Sequence, residues 1–342
     1  MPVSDDEKLA REKALADAHD KQVDPPPHRA VNRRSVRYVV SRLLGTPASI
    51  LGTLLLIGFG AIALAAPMLA PCPPDQKITC QQHVYKVPRY GFTTQPEAPS
   101  AAHRFGLTPQ RNDIYYGVIW GTRTAFKAGV TIIALALVLG LTIGSIAAYY
   151  GGWIDEVLMR IVEIFQAFPY LLAALTLATV LRGGGGDWLE AILGPNSIAP
   201  AIIPLVAFGW MGYARLVRAD ILSVKERDYV AASRALGASD GRIIVQHILP
   251  NSIFPVLVVA SLDIGTVVQS FAALAFFGLG VPKGYADWGQ MIATARNVIF
   301  TIDRDWYIVV YPGTALVLFS LAWNLIGDTV RDILDPRQSR EG

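Results

Sequence analysis

The chain has 342 residues, 52% hydrophobic and only 17% charged, with a mean hydropathy of +0.38 and a formal net charge of +3. A soluble domain carries nearer a quarter charged residues, so this composition excludes an ordinary soluble or disordered chain and favours a membrane protein. The small net charge excludes a strongly basic nucleic-acid binder, and the basic clusters described below need no nucleic acid to explain them.

Residues 1–44 are polar and charge-dense, and they end in Pro25-Pro26-Pro27 and the arginines Arg33, Arg34, Arg37 and Arg42. The stretch is too long and too acidic for the n-region of a signal peptide, and no small-residue cleavage site follows the next apolar run. A cytoplasmic tail is expected here, with helix only around Glu7–Ala18, leading into an uncleaved anchor.

Crossing ~30 Å of hydrocarbon takes about 20 apolar residues, and irregular backbone is not tolerated in lipid. Six candidate helices follow: 45–70, 128–152, 158–181, 197–214, 252–280 and 306–327. The third carries Arg160 and Glu163, and the fifth carries Asp263 and Gln269. Arginine and lysine are absent from the 183–196 connection, whereas Arg215, Arg218, Lys225, Arg227, Arg234 and Arg242 crowd 215–250, and Arg331, Arg337 and Arg340 follow the last run. The positive-inside rule then puts both termini and the 215–250 loop in the cytoplasm, an assignment that six spans satisfy. The expected fold class is all-α integral membrane.

Between the first two spans, 71–125 is expected to be extracytoplasmic. It holds the only cysteines, Cys72 and Cys80, on the side where disulfides persist. They enclose a short proline-containing loop and are expected to pair.

The stretch from Asp228 to Asn251 is a polar connection between apolar runs, built as a short helix, a glycine stop, a second helix and a proline. Small residues (Ala231, Ala232, Ser233) permit close approach of a partner. Gly237 suits a left-handed helix end, Ser239 or Asp240 suits the next N-cap, and Pro250 is expected to force a break.

This stretch resembles the cytoplasmic coupling loop of type I ABC-importer permeases, whose pattern is Glu-Ala-Ala, three residues, Gly, nine residues, then Ile-x-Leu-Pro. Ala231-Ala232-Ser233 stands at Glu-Ala-Ala, Gly237 at the glycine, His247 at the isoleucine and Leu249-Pro250 at the end. The His-Ile-Leu-Pro-Asn ending is similar to the peptide and nickel branch. Four other stretches carry the resemblance in order. The first, from His103 to Thr124, keeps Phe105, Gly106, Asp113 and Gly121-Thr122-Arg123 but has Arg111-Asn112 where Gly-Arg is expected. The others are Gly151 to Arg160 with Phe168-Pro169; Phe277 to Pro282 with Asp287-Trp288-Gly289; and Pro312-Gly313 with Asn324 to Arg337.

The resemblance implies six transmembrane helices: a first helix at 45–70, a permease core over 122–328 with the coupling loop at 215–250, and a cytoplasmic tail at 329–342. It implies that Asp228, Tyr229, Val230, Ala231, Ala232, Ser233, Arg234, Ala235, Gly237, Ala238, Asp240, His247, Leu249 and Pro250 form the ATPase contact. The implied partners are a second, homologous permease subunit, two ABC ATPase subunits, an extracytoplasmic solute-binding protein and the lipid of a bacterial or archaeal cytoplasmic membrane. Peptides are the implied solutes, with nickel, a metal chelate or another small solute as the alternative in the same class.

Direct catalytic signals are missing. The chain has no phosphate-loop motif, no nucleophile pattern and no close pair among its five histidines. No cofactor or metal is therefore expected on this chain, with ATP and magnesium used by partner subunits; a membrane enzyme is the less favoured alternative. Asp263 has to face a partner or water, because a carboxylate facing lipid costs several kcal/mol. Thr266 lies three residues on and Gln269 six, so a polar face lining the solute path is one reading and a structural contact inside the bundle is the other.

Overall fold

A capping box opens the first helix. The Thr46 hydroxyl accepts from the Ser49 amide while the Ser49 hydroxyl accepts from the Thr46 amide. Pro47 then occupies a position where no amide bond is lost. In the computed structural model the described residues are 45–74, 83–91, 95–183, 191–194, 196–296 and 302–334, with Leu43 and Cys80. The expected tail and its arginines up to Arg42, most of the 183–196 turn, and Arg337 and Arg340 lie outside them.

Helix α1 spans Pro47–Leu69 and α2 spans Ile114–Tyr150. At 37 residues α2 is about 55 Å long. It begins fourteen residues before the expected 128, because its first turns are packed by protein rather than lipid: Ile114, Tyr116 and Trp120 are buried. Asp113 caps it, accepting from the Tyr116 amide at 2.9 Å, and Gly151 at φ +65° ends it.

The expected straight third span is instead broken. Helices α3 (Gly152–Gln166) and α4 (Tyr170–Gly183) meet at 86°. Pro169 supplies no amide hydrogen and steers Phe168 away from helical backbone, so the chain turns there. Helix α3 is anchored to the next span by Asp155, which takes two hydrogen bonds from Arg218 at 2.5 and 2.6 Å.

Helices α5 (Ala199–Gly209) and α6 (Met211–Val224) form one run interrupted at Trp210, which ends ten residues beyond the expected 214. Helix α7 is Asp228–Ala235 and α8 is Asp240–Ile243; a π-helical turn at Ile244–Ile248 leads into α9, Leu249–Phe276. The expected break at Pro250 does not occur. Asp240–Phe276 is one apolar run, because the widened π turn accommodates the missing amide of Pro250 at the start of α9. Helix α10 is Trp288–Ala293, α11 is Ile302–Asp305 and α12 is Tyr307–Leu334. Among the described residues five helices are long and apolar enough to cross a membrane, or six if α3 and α4 count as one broken span.

Small residues set the helix spacing, as expected where lipid offers no hydrophobic drive for association. Gly140 and Gly144 of α2 face α6, and a Cβ on Gly140 would come within 2.5 Å of Tyr213 Cβ. Gly265 of α9 lies against the α12 backbone, and the Ser320 hydroxyl donates to its carbonyl at 3.2 Å. Phe59, Trp288 and Phe319 join α1, α10 and α12, with Phe59 and Phe319 edge to face at 5.4 Å.

A cap without continuous strands covers one end of the bundle. Residues 83–91 pair with the 282–286 turn through Val87 N to Gly284 O at 2.8 Å and Ala286 N to Tyr85 O at 2.7 Å. Tyr85 and Tyr285 stack at 5.2 Å. Cys72 and Cys80 are joined as a disulfide, with their Cα atoms 5.8 Å apart.

Candidate functional site

Helix α7 ends in a Schellman motif, with Gly237 N bonded to Arg234 O at 3.0 Å and Ala238 N to Ser233 O at 3.1 Å. Gly237 sits at φ +77°, where a side chain is strained. The turn leaves Leu236 88% exposed, and Tyr229 and Val245 of the same loop are also exposed. Asp228, Ala231, Ala232, Arg234 and Ala235 are exposed, and Ser233 is half-buried with its hydroxyl on Tyr229 O.

Two expectations for this loop need correcting. Val230 does not share the outward face. It is fully buried beside Ile221, Val224, Ile243 and Ile248, since helical spacing sends the one β-branched apolar residue of α7 into the bundle. Neither Ser239 nor Asp240 caps α8 by its side chain; Asp240 Oδ1 instead accepts from the Tyr149 hydroxyl at 2.6 Å. In the second half of the loop Ala238, His247 and Leu249 are half-buried and Pro250 is exposed, while Asn251 Nδ2 donates to His247 O at 2.6 Å.

Residues that sequence reasoning missed tie the loop to the bundle. Tyr149, at the last turn of α2, holds Asp240 and lies under the Arg234 guanidinium at 5.8 Å from the ring centroid. Lys225 Nζ donates to Ala148 O at 3.0 Å. These contacts link positions up to 91 residues apart, and no local pattern announces them.

On α9, Asp263 Oδ2 accepts from the Tyr213 hydroxyl of α6 at 2.7 Å and is half-buried. Thr266 and Gln269 are exposed. The three therefore do not form one cluster: at about 100° per residue Gln269 is turned about 120° from Asp263. Asp263 faces a neighbouring helix, and Thr266 and Gln269 face outward.

The Asp287-Trp288-Gly289 stretch resolves into three jobs. Asp287 caps α10, accepting from Gln290 N at 2.8 Å. Burial pushes its carboxyl up to about 7. Trp288 Nε1 donates to Val118 O at 3.1 Å, and Gly289 lies on the backbone of Ala272, leaving no room for a Cβ. Nearby, burial together with Lys127 and Lys86 lowers the pKa of His83. Among the described residues no three His, Cys, Asp or Glu side chains come together as a metal site.

Apolar helices of spanning length, packed through small residues, define a multi-pass helical membrane protein. Residues 140–340 match the family described as the binding-protein-dependent transport system inner membrane component, and the chain belongs to that family. It is 35% identical over 314 residues to the dipeptide transport system permease protein DppC of Alkalihalophilus pseudofirmus, covering 92% of this chain and 94% of that one. It is 33% identical to the probable D,D-dipeptide transport system permease protein DdpC of Escherichia coli, covering 87% and 91%. The glutathione transport system permease protein GsiD of Pectobacterium atrosepticum is 33% identical, covering 70% and 75%. A chain of the MetNI methionine ABC transporter, in an inward-facing conformation, matches with a TM-score of 0.50 at 18% identity, covering 64% of this chain and 96% of that one. That likeness concerns fold alone.

Proposed function

We propose that this chain is the permease subunit of an ATP-driven importer of short peptides, forming half of a path that works by alternating access. The observation that carries the peptide reading is the similarity, along nearly the whole chain, to a dipeptide transport permease. The surrounding assembly is a second permease, two ABC ATPases and an extracytoplasmic binding protein. The termini and the 215–250 loop face the cytoplasm of a bacterium or archaeon, and 71–125 faces outside. The chain binds no nucleotide or metal; ATP and magnesium act in the ATPases.

In this reading the exposed residues of α7, its C-terminal turn and the following π turn, with Tyr229, Ala231, Ala232, Leu236 and Val245, seat in a groove of the ATPase. Thr266 and Gln269 line the path. Asp263 is held by Tyr213, so its contribution to the path is to fix α9 against α6. Import of nickel or a metal chelate is the second reading, favoured only by the His247 to Asn251 ending.

Substitution Gly237→Asp tests the loop. A side chain at this left-handed position costs about 1–2 kcal/mol and adds a charge at the contact. Membrane insertion is expected to persist while ATPase co-purification on a tag carried by this chain falls at least several-fold. Full ATPase recovery with normal uptake would remove the loop from the docking role.

A further inference from the structure

At the capped end of the bundle an open cavity of about 870 Å³ lies between residues 86–91, the exit of α9 and helix α10. Among the described residues its wall carries Lys86, Arg89, Lys283 and Arg296 and no carboxylate. Three of these cations stand on paired or clamped backbone. Lys86 bridges to Tyr285 and Arg89 to Asn112. Lys283 sits in a turn that Gln290 clamps from both ends, accepting from Gly284 N at 2.6 Å and donating to Pro282 O at 3.0 Å. The Arg296 guanidinium donates to Phe276 O and lies 4.0 Å from that ring's centroid.

A concave wall lined by charges of one sign focuses its field and concentrates ions of the other sign. The volume falls in the usual ~300–1,000 Å³ range of small-molecule sites. Its position fits a solute rather than an accident of the cap. Phe276 and Phe277 close α9, and at about 100° per residue Phe276 lies within about 20° of Gln269, and Phe277 within about 20° of Thr266. The cavity therefore opens at the end of the exposed face that carries those two polar residues.

We infer that this cavity is an outer receiving site of the path and takes a small solute through its carboxylate, the terminal carboxylate of a short peptide being the group held. The inference rests on the importer reading above and adds the chemistry of the group that is bound.

The test uses the whole purified complex in lipid nanodiscs without binding protein, carrying Ala293→Cys in the cavity wall, or Thr294→Cys should the first fail to assemble. The two native cysteines are tied to each other. At low salt an anionic thiosulfonate reagent is expected to label the new thiol about tenfold or more faster than a cationic one. Adding Lys86→Gln and Lys283→Gln should erase most of that preference. Alanyl-alanine should slow labelling several-fold and alanyl-alanine amide should not. Equal rates for the two reagents, or equal protection by acid and amide, would overturn the inference. Protection only by added binding protein, with none from free dipeptide, would also overturn it and give the cavity to that protein's own carboxylates. Carboxylate-dependent protection without any uptake of alanyl-alanine by wild-type cells would leave the site standing and sink the peptide reading instead.

Discussion

Arg111 shows how one residue replaces what the family pattern supplies with glycine. It holds φ +63°, the only positive φ of a non-glycine residue among those described, at the position where Gly is expected. The strain of about 1–2 kcal/mol is offset by Nε to Tyr90 O at 2.6 Å and by the pair with Glu97 at 2.8 Å. Arg111→Ala keeps the strain and loses both contacts, so the melting midpoint of the purified complex should fall. Arg111→Gly relieves the strain while losing the same contacts, so it should fall less. The reverse order would refute this account. Asp287 gives a pH signature. Its carboxyl is raised from the ordinary 3.8 to about 7 by burial, so the folded state prefers it protonated. Ionisation then costs stability progressively as pH rises from about 4 to about 7, and the cost is constant above that. Asp287→Asn keeps an acceptor for Gln290 N without the charge. The stability of wild type relative to this variant should decline across that interval, and a flat difference would show that Asp287 titrates normally.

At the scale of elements, the sequence declared the apolar runs, and their ends depended on contacts the sequence does not display. Helix α2 outruns its apolar stretch because Asp113 caps it and the cap buries Ile114, Tyr116 and Trp120. The α3–α4 bend was written in Phe168-Pro169, but apolar content alone reads through it. Pro250 misled in the other direction, since a π turn absorbs it. The turn of the 228–250 loop was legible through Gly237, whereas the loop's attachment through Tyr149 was not. That attachment joins the last turn of α2 to the start of α8. Tyr149→Phe removes a solvent-exposed hydrogen bond to a carboxylate, worth about 1 kcal/mol at most. The expected result is more ATP hydrolysed per solute imported, with assembly and solute affinity unchanged. An unchanged ratio would make Tyr149 a structural contact only.

For the whole molecule, a helical bundle joins two ends of different chemistry. One end presents a small-residue loop with an exposed Leu236, the other a cap with a cationic cavity. The fold class followed from composition and periodicity, because lipid leaves helices as the main solution. The candidate path was only partly legible. Asp263, Thr266 and Gln269 announced themselves as polar residues in an apolar run, but which of them faces a neighbouring helix is decided by Tyr213, 50 positions away. The basic cavity was invisible in sequence, because its four cations come from segments separated by as many as two hundred positions. The central claim is import of short peptides through this chain, and uptake of radiolabelled alanyl-alanine by cells lacking it tests that claim most directly. The account predicts that deletion abolishes energy-dependent uptake, that the wild-type chain restores it, and that the Gly237→Asp chain does not. Uptake that is unchanged by the deletion would contradict it.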